Sequence, residues 1–370
     1  MNNPREEPSD LAALREVADD IFGTATEDVL DVQQVSIDFD PTLWRTLEGS
    51  GLTLLTTPDT EGGSAASLYA LAVVLESCGY HGAPAPIAET DLLASWMLRS
   101  VGLPVPSGPL SCASADVVVN GSRVTGEITH VPWISSAAGL VIAGSGVVAY
   151  IPALDLSVTT QHDIGGHPSG RVVLNHTLPK EQIREQTSEL KTEFWLRGAL
   201  ARSLQTCGAL QRALDLSVTH AGERVQFGRP LGRFQAVQGL IAEAAGSVAM
   251  AKAASEYAVD TAARNGFEAA ETKCAIAAAK IEAARAATTV SRNSHQVHGA
   301  IGFTLDHRLR HFTTHALAWR SEFGGQRAWE RILGNMVLDS GTNGIWEFIT
   351  SGRISADDKE GVDYESVSRS

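Results

Sequence analysis

Residues Glu223–Gln235 read ERVQFGRPLGRFQ and lie between two of the longest helical patterns in the chain. On the simplest reading they are an interhelical turn with two glycines, Gly228 and Gly232, and a helix starting at Arg233. A second reading uses the chemistry of the side chains. Arg224, Arg229 and Arg233 set three guanidinium donors on one short stretch, which suits phosphate. Phe227 and Phe234 offer aromatic faces to a ring system. The glycines allow a ligand to approach the backbone closely.

The periodicity on either side decides the architecture. Leu196, Leu200, Leu204, Cys207, Leu214 and Val218 keep one helix face before the quoted stretch. After it, Val237, Ile241, Ala244, Val248 and Ala251 stay in register along a helix expected over 234–263. Asn265-Gly266 breaks that helix, and an alanine-rich helix follows over 268–292. Shorter helices are expected at 305–320 and 325–338. Alanine-rich helices bring backbones close, so residues 181–353 read as a tight antiparallel bundle.

Upstream, residues 1–105 also read as helical. The near-continuous apolar run Ser67–Cys78 suits a buried helix, with Gly62-Gly63-Ser64 as turn and N-cap candidate and Gly79 as its end. A further helix is expected over 90–100, capped by Thr90. Proline and glycine at 102–110 then end the helical texture. The β-branched runs between Cys112 and Leu174, with Asn120-Gly121 at a turn, read as a small antiparallel β domain over 106–180. The order is helices, a small β region, then a helical bundle. This predicts a multi-domain α+β fold that is mainly α. No GxGxxG follows a strand, which argues against a Rossmann dinucleotide site. Residues 354–370 are polar and acidic and read as a disordered tail.

Composition narrows the function classes. The chain has 370 residues, 44% apolar and 19% charged, with a net charge of −14. That excludes a basic face for nucleic acid. The charge is concentrated at the ends: residues 1–40 carry −9 and residues 354–370 carry −3. Residues 181–330 are +3, so the total does not bar an anionic ligand there. No apolar run is long enough to cross a bilayer, and no signal peptide is expected. Cys78, Cys112, Cys207 and Cys274 lie far apart, so neither a disulfide framework nor a metal site is expected, and a cytoplasmic setting is the simplest.

Two further segments carry chemistry. His295–Thr304 reads HQVHGAIGFT: Gln296 both donates and accepts, Gly299 and Gly302 clear space, and His298 is a potential switch group. Alone, this is a glycine-rich helix end with a packed or solvated histidine. Val131–Ser136 reads VPWISS, and Trp133 followed by Ser135 can cover and hydrogen-bond a flat heterocycle. Alone, it is a core tryptophan on a strand.

Taken together, ERVQFGRPLGRFQ, QVHGAIGFT, VPWISS and the N-terminal stretch from Gly51 to Thr90 resemble the acyl-CoA dehydrogenase family over nearly the whole chain. The resemblance implies an N-terminal helical domain, a small central β-barrel domain and a C-terminal four-helix bundle, assembled as a tetramer. It also implies FAD as cofactor, an acyl-CoA thioester as substrate, and an electron-transferring flavoprotein or similar acceptor. Arg224 looks like the arginine that reaches the FAD pyrophosphate of a neighbouring subunit. Phe227 and Phe234 sit where the family packs its cofactor or the adjoining interface. Gln296, Gly299 and Gly302 match the segment that accepts the ADP part. Trp133 and Ser135 match the tryptophan and hydroxyl beside the flavin ring, with Ser135 in place of the usual threonine.

The chain departs from the family pattern at the catalytic base. The reaction removes a weakly acidic thioester α-proton, so it needs a positioned carboxylate. One usual position falls on Gly198 and the other on Phe323. The adjacent Glu322 serves only if the register shifts by one, which turns a helical side chain by about 100°. The place of a Thr-Glu-Pro-rich loop over flavin and substrate reads GPLSCASADVVV. These departures are similar to the base-lacking subunits of actinobacterial heteromeric members, which act in sterol and lipid catabolism. A homo- or heterotetramer is therefore implied. The alternatives are a catalytically silent subunit that completes an FAD site, and an oxidase-like flavin relative.

Overall fold

The computed structural model describes residues 8–27, 29–31, 35–186, 188–339 and 346. The reading of 354–370 as a disordered tail lies outside them. The chain forms two compact units. The first comprises Met1–Val17, Val35–Val74 and Pro84–Gly198. The second comprises Ala18–Gln34, Leu75–Ala83 and Ala199–Ser370. Helices α1 (Pro8–Thr26), α3 (Leu68–His81) and α5 (Ser188–Glu223) each contribute residues to both.

In the first unit, α2 (Pro41–Gly49) shows how local sequence sets an element. Asp40 accepts from the Thr42 N–H at 2.7 Å, and Pro41 fills the first turn. Leu43, Trp44 and Leu47 then fall on the buried face. At α3 the cap is Ser67, whose hydroxyl accepts from the Ala70 N–H at 3.1 Å. Ser64 instead donates to the Gly51 carbonyl, so it is not the cap.

The helix expected over 90–100 is different in kind. Ala88–Ser95 winds as a π-helix, and α4 (Trp96–Ser100) continues it. Thr90 lies inside the helical segment and accepts from the Leu110 N–H at 3.0 Å, so it caps nothing. Every residue from Ala88 to Ser95 is buried, including Asp91. The Asp91 carboxylate accepts from the Thr56 N–H at 2.9 Å and from the hydroxyls of Thr56 and Thr57. Burial nonetheless pushes its pKa above the usual carboxylate range.

Eight strands follow: β1 (Leu110–Ser114), β2 (Val118–Asn120), β3 (Arg123–Pro132), β4 (Gly139–Gly144), β5 (Val147–Pro152), β6 (Ser157–His162), β7 (Pro168–Thr177) and β8 (Ile183–Glu185). They form two four-stranded sheets, ordered β1-β4-β5-β8 and β2-β3-β7-β6. Asn120-Gly121 makes the β2–β3 hairpin, with Gly121 at φ +62°. Val124, Ile128, Ile142, Ile151, Val172 and Leu174 fill the core of this β region. One pair departs from the antiparallel expectation: β1 and β4 run parallel, with Leu110 opposite Gly139. The β2–β3 hairpin lies in the other sheet and acts as the crossover that a parallel pair requires.

In the second unit, α6 (Gln235–Asn265) packs along α7 (Ala270–His298), and α7 also meets α8 (Leu309–Trp319) and α9 (Gln326–Asp339). Gly266 at φ +77° makes the turn from α6 towards α7. Gly79 does not end α3. A Cβ there would lie 2.1 Å from the Gln205 carbonyl oxygen, and one at Gly208 would lie 1.9 Å from that of Glu76. The two glycines let α3 and α5 approach backbone to backbone. All four cysteines are buried thiols. Among the described residues, no helix is long and apolar enough to cross a membrane.

Candidate functional site

In the first unit, the end of β3 is bent on purpose. The β3–β7 register shifts between Ile128 and Val131, and His130 and Trp133 both sit at φ +57°. Bulges re-aim the side chains that follow them. Trp133 is buried, its N–H donates to the Pro168 carbonyl at 2.8 Å, and its ring lies 5.6 Å from that of His167. His167 is fixed in turn by Asp163, which accepts from its N–H at 2.9 Å and meets Nδ1 at 3.1 Å. Two residues beyond Trp133, Ser135 is exposed.

In the second unit, Glu223–Gln235 holds a tight hairpin, not a plain turn. β9 (Val225–Gln226) pairs with β10 (Arg229–Pro230), and Phe227 and Gly228 form the tip at φ +51° and +80°. Two positive φ values are the signature of a type I′ turn, in which an aromatic residue is strained. Phe227 is 91% exposed and meets Phe234 edge-on at 6.2 Å. Arg229 lies 4.1 Å over the Phe234 ring. Arg224 is exposed at the end of α5. A strained, solvent-facing aromatic beside exposed arginines is a surface built to be covered.

The HQVHGAIGFT segment ends α7. Gln296 is exposed on that helix, and Gly299 caps it at φ +66° with open space where a Cβ would stand. Gly302 is buried, and a Cβ there would lie 2.9 Å from the His298 Cβ. Gln296, Gly299 and the arginines of the hairpin thus supply exposed donors and open backbone, which fits an anionic dinucleotide. Trp133 and Ser135 supply an aromatic and a hydroxyl, which fits a flat heterocycle. Each of these two sets is therefore chemically suited to a different part of FAD.

The base positions are not equipped for proton abstraction. Gly198 is buried on α5 and has no side chain. Phe323 sits at φ +51°, and its carbonyl accepts from the Trp329 indole at 2.9 Å. Glu322 is engaged elsewhere: its Oε2 accepts from Arg202 Nε at 2.8 Å, and Arg202 is buried. Arg202 also donates to the Gln205 side chain at 2.6 Å. Nearby, the buried Lys280 donates to the Trp319 carbonyl at 2.6 Å. Burial lowers the Lys280 pKa to about 7, against the pull of Glu322.

Sequence reasoning missed two groupings. One is this Arg202–Glu322–Lys280 cluster, whose members are separated by dozens of residues. The other is a set of three histidines that cysteine spacing could not signal. His220, His298 and His307 converge, with one ring nitrogen of each within 4.8 Å of the others. No short spacing signals them, because they come from three different elements.

The acyl-CoA dehydrogenase C-terminal domain matches residues 193–334. The acyl-CoA dehydrogenase IpdE2 of Mycolicibacterium smegmatis is 29% identical over 288 residues, 77% of this chain and 84% of that one. FadE27 of Mycobacterium tuberculosis is 24% identical over 90% of this chain and 98% of its own length. Among solved structures, the ChsE4-ChsE5 complex from Mycobacterium tuberculosis aligns with a TM-score of 0.80 at 23% identity, over 90% of this chain and 98% of that one. The Tcur3481-Tcur3483 steroid ACAD aligns with a TM-score of 0.77 at 26% identity, over 88% and 97%.

Proposed function

We propose that this chain, whose residues 193–334 match the acyl-CoA dehydrogenase C-terminal domain, is the base-lacking subunit of a hetero-oligomer that dehydrogenates acyl-CoA thioesters. The observation that carries this reading is the state of the base positions. One is a glycine, one is a phenylalanine, and the neighbouring carboxylate, Glu322, is held by the buried Arg202 at 2.8 Å. That carboxylate already has a structural partner, and withdrawing it would leave a buried cation uncompensated. A partner subunit of the same family then supplies the base.

This chain's own part is to bind and orient. Bound FAD supplies the two-electron acceptor for the hydrogen leaving the β-carbon. Arg224 would hold the pyrophosphate, Gln296, Gly299 and Gly302 the ADP part, and Trp133 and Ser135 the flavin ring. Phe227 and Phe234 would close the edge of the cofactor against the adjoining subunit. The outward face of α6 supports a subunit partner. Ala236, Gly239, Ala242, Gly246, Ala249 and Ala253 repeat every three to four residues and are all exposed. A smooth face of this kind admits another helix at close range. The likeness of the fold to the ChsE4-ChsE5 complex supports a paired assembly. The proposed substrate is the thioester of a steroid-derived or other bulky acyl group, in line with the steroid ACAD Tcur3481-Tcur3483, and the proposed acceptor is an electron-transferring flavoprotein.

The test is expression with and without a homologous partner that retains its glutamate. Alone, the chain should hold substoichiometric FAD and should not bleach anaerobically with acyl-CoA. Co-purified, the complex should hold FAD and bleach. A purified homo-oligomer with one FAD per chain that is bleached by acyl-CoA sinks the proposal.

A further inference from the structure

His220 stands in the last turn of α5, His298 at the last position of α7, and His307 in the turn before α8. His220 and His298 stack with centroids 4.5 Å apart, and His307 stands edge-on to His298 at 4.6 Å. The decisive atom is His298 Nε2. His298 is 6% exposed, and its Nδ1 lies 2.7 Å from the Ser294 carbonyl oxygen. A carbonyl only accepts, so Nδ1 carries the proton and Nε2 presents a bare lone pair. That lone pair is buried and receives no hydrogen bond. A backbone carbonyl fixing Nδ1–H while Nε2 faces other ligands is the outer-shell arrangement of metal-binding histidines.

We propose that His220, His298 and His307 bind one zinc ion through three imidazole nitrogens and an open fourth position. Imidazole ligands suit zinc, copper and nickel. Three protein ligands with a fourth position left to water or an anionic oxygen is the pattern of an open site, not a closed structural one. Burial holds all three histidines below the usual range, so they are neutral near pH 7, the form that ligates. Nitrogens at about 2.0–2.1 Å from a tetrahedral zinc stand roughly 3.3 Å apart. The set must therefore close from its present 4.8 Å span. His220 and His307 are only half-buried, so their side-chain torsions can supply that closure. The His220–His298 stack opens as it does so. His307 Nδ1 accepts from the Leu309 N–H at 3.1 Å and gives up that bond as its ring turns to ligate. Arg224 opposes the ion's charge from beyond His220, and Glu223 favours it.

The experiment is titration of the purified, untagged, dialysed protein with zinc sulfate by calorimetry, with cobalt(II) absorbance as the reporter of geometry. One ion per chain is expected, with the visible bands of tetrahedral cobalt. His298→Ala and His307→Ala should each weaken zinc binding at least a hundredfold. His162→Ala, a surface histidine outside the cluster, should leave it unchanged. Should His298→Ala fail to fold, His307→Ala at its half-buried turn carries the test, with circular dichroism confirming the fold. Zinc binding equal in all variants identifies an adventitious ion only and overturns the proposal, as does the absence of binding in the wild type.

Discussion

Glu322→Gln separates a structural carboxylate from a catalytic one. The amide keeps an oxygen for Arg202 Nε at the 2.8 Å position but loses the charge. A hydrogen bond to a charged group contributes about 1.5–3 kcal/mol, and a neutral one about 0.5–1.5 kcal/mol. The difference is about 1 kcal/mol. Arg202 and Lys280 then lose the anion that offsets them, while the 32% exposure of the Glu322 side chain moderates that loss. The whole perturbation costs about 1–2 kcal/mol, or a fall in Tm of roughly 1–3 °C for a chain of this length. Thermal unfolding by circular dichroism reads the stability. Anaerobic flavin reduction by acyl-CoA in the reconstituted complex reads the chemistry. The expected result is a lower Tm with the rate of flavin reduction within about twofold of wild type. A thousandfold slower reduction at unchanged Tm would falsify the reasoning and make Glu322 the base.

Three further outcomes can be checked. Arg224→Ala should weaken FAD binding to the complex by about 10–100-fold, the loss of one charge-assisted contact, with Tm unchanged because Arg224 is exposed; an unaltered FAD affinity in equilibrium dialysis removes it from the site. Gly208→Ala drives a Cβ to 1.9 Å from the Glu76 carbonyl oxygen and should cost about 3 kcal/mol in urea unfolding; a neutral result would mean that α3 and α5 separate freely. Lys280 titrates near 7 when folded and near 10.5 when unfolded, so the unfolded chain binds more protons between those values. Stability from this group therefore rises with pH from about 7 to about 10.5, and Lys280→Met should flatten that rise in urea midpoints taken at pH 7 and pH 9.

Local signals were legible because they act over a few residues. Periodicity at Leu196–Val218 and Val237–Ala251 located α5 and α6, and Asn120-Gly121 located a hairpin. Boundaries were harder. Gly79 read as a helix end, since glycine is a common stop signal, yet it lies inside α3 for lack of room beside Gln205. Thr90 read as a cap, since threonine caps often, yet the chain winds through it as a π-helix around the buried Asp91. The candidate site divided along the same line. ERVQFGRPLGRFQ could be read as a ligand-facing segment, but its type I′ tip with a strained, exposed Phe227 could not.

By itself, the sequence determined the order of helical, β and helical regions, the segments suited to an anionic dinucleotide, and the absence of a carboxylate at Gly198 and Phe323. These follow from side-chain chemistry and short-range period alone. Only the tertiary structure showed which group holds Glu322, because Arg202 lies 120 positions away and is brought against it by helix packing. It alone brought His220, His298 and His307 together, and it alone showed that the His298 Nε2 lone pair is buried without a donor. The reason is physical: a carboxylate's ion-pair partner and an imidazole's ligand role are set by which groups share its surroundings, and those neighbours are chosen by the fold.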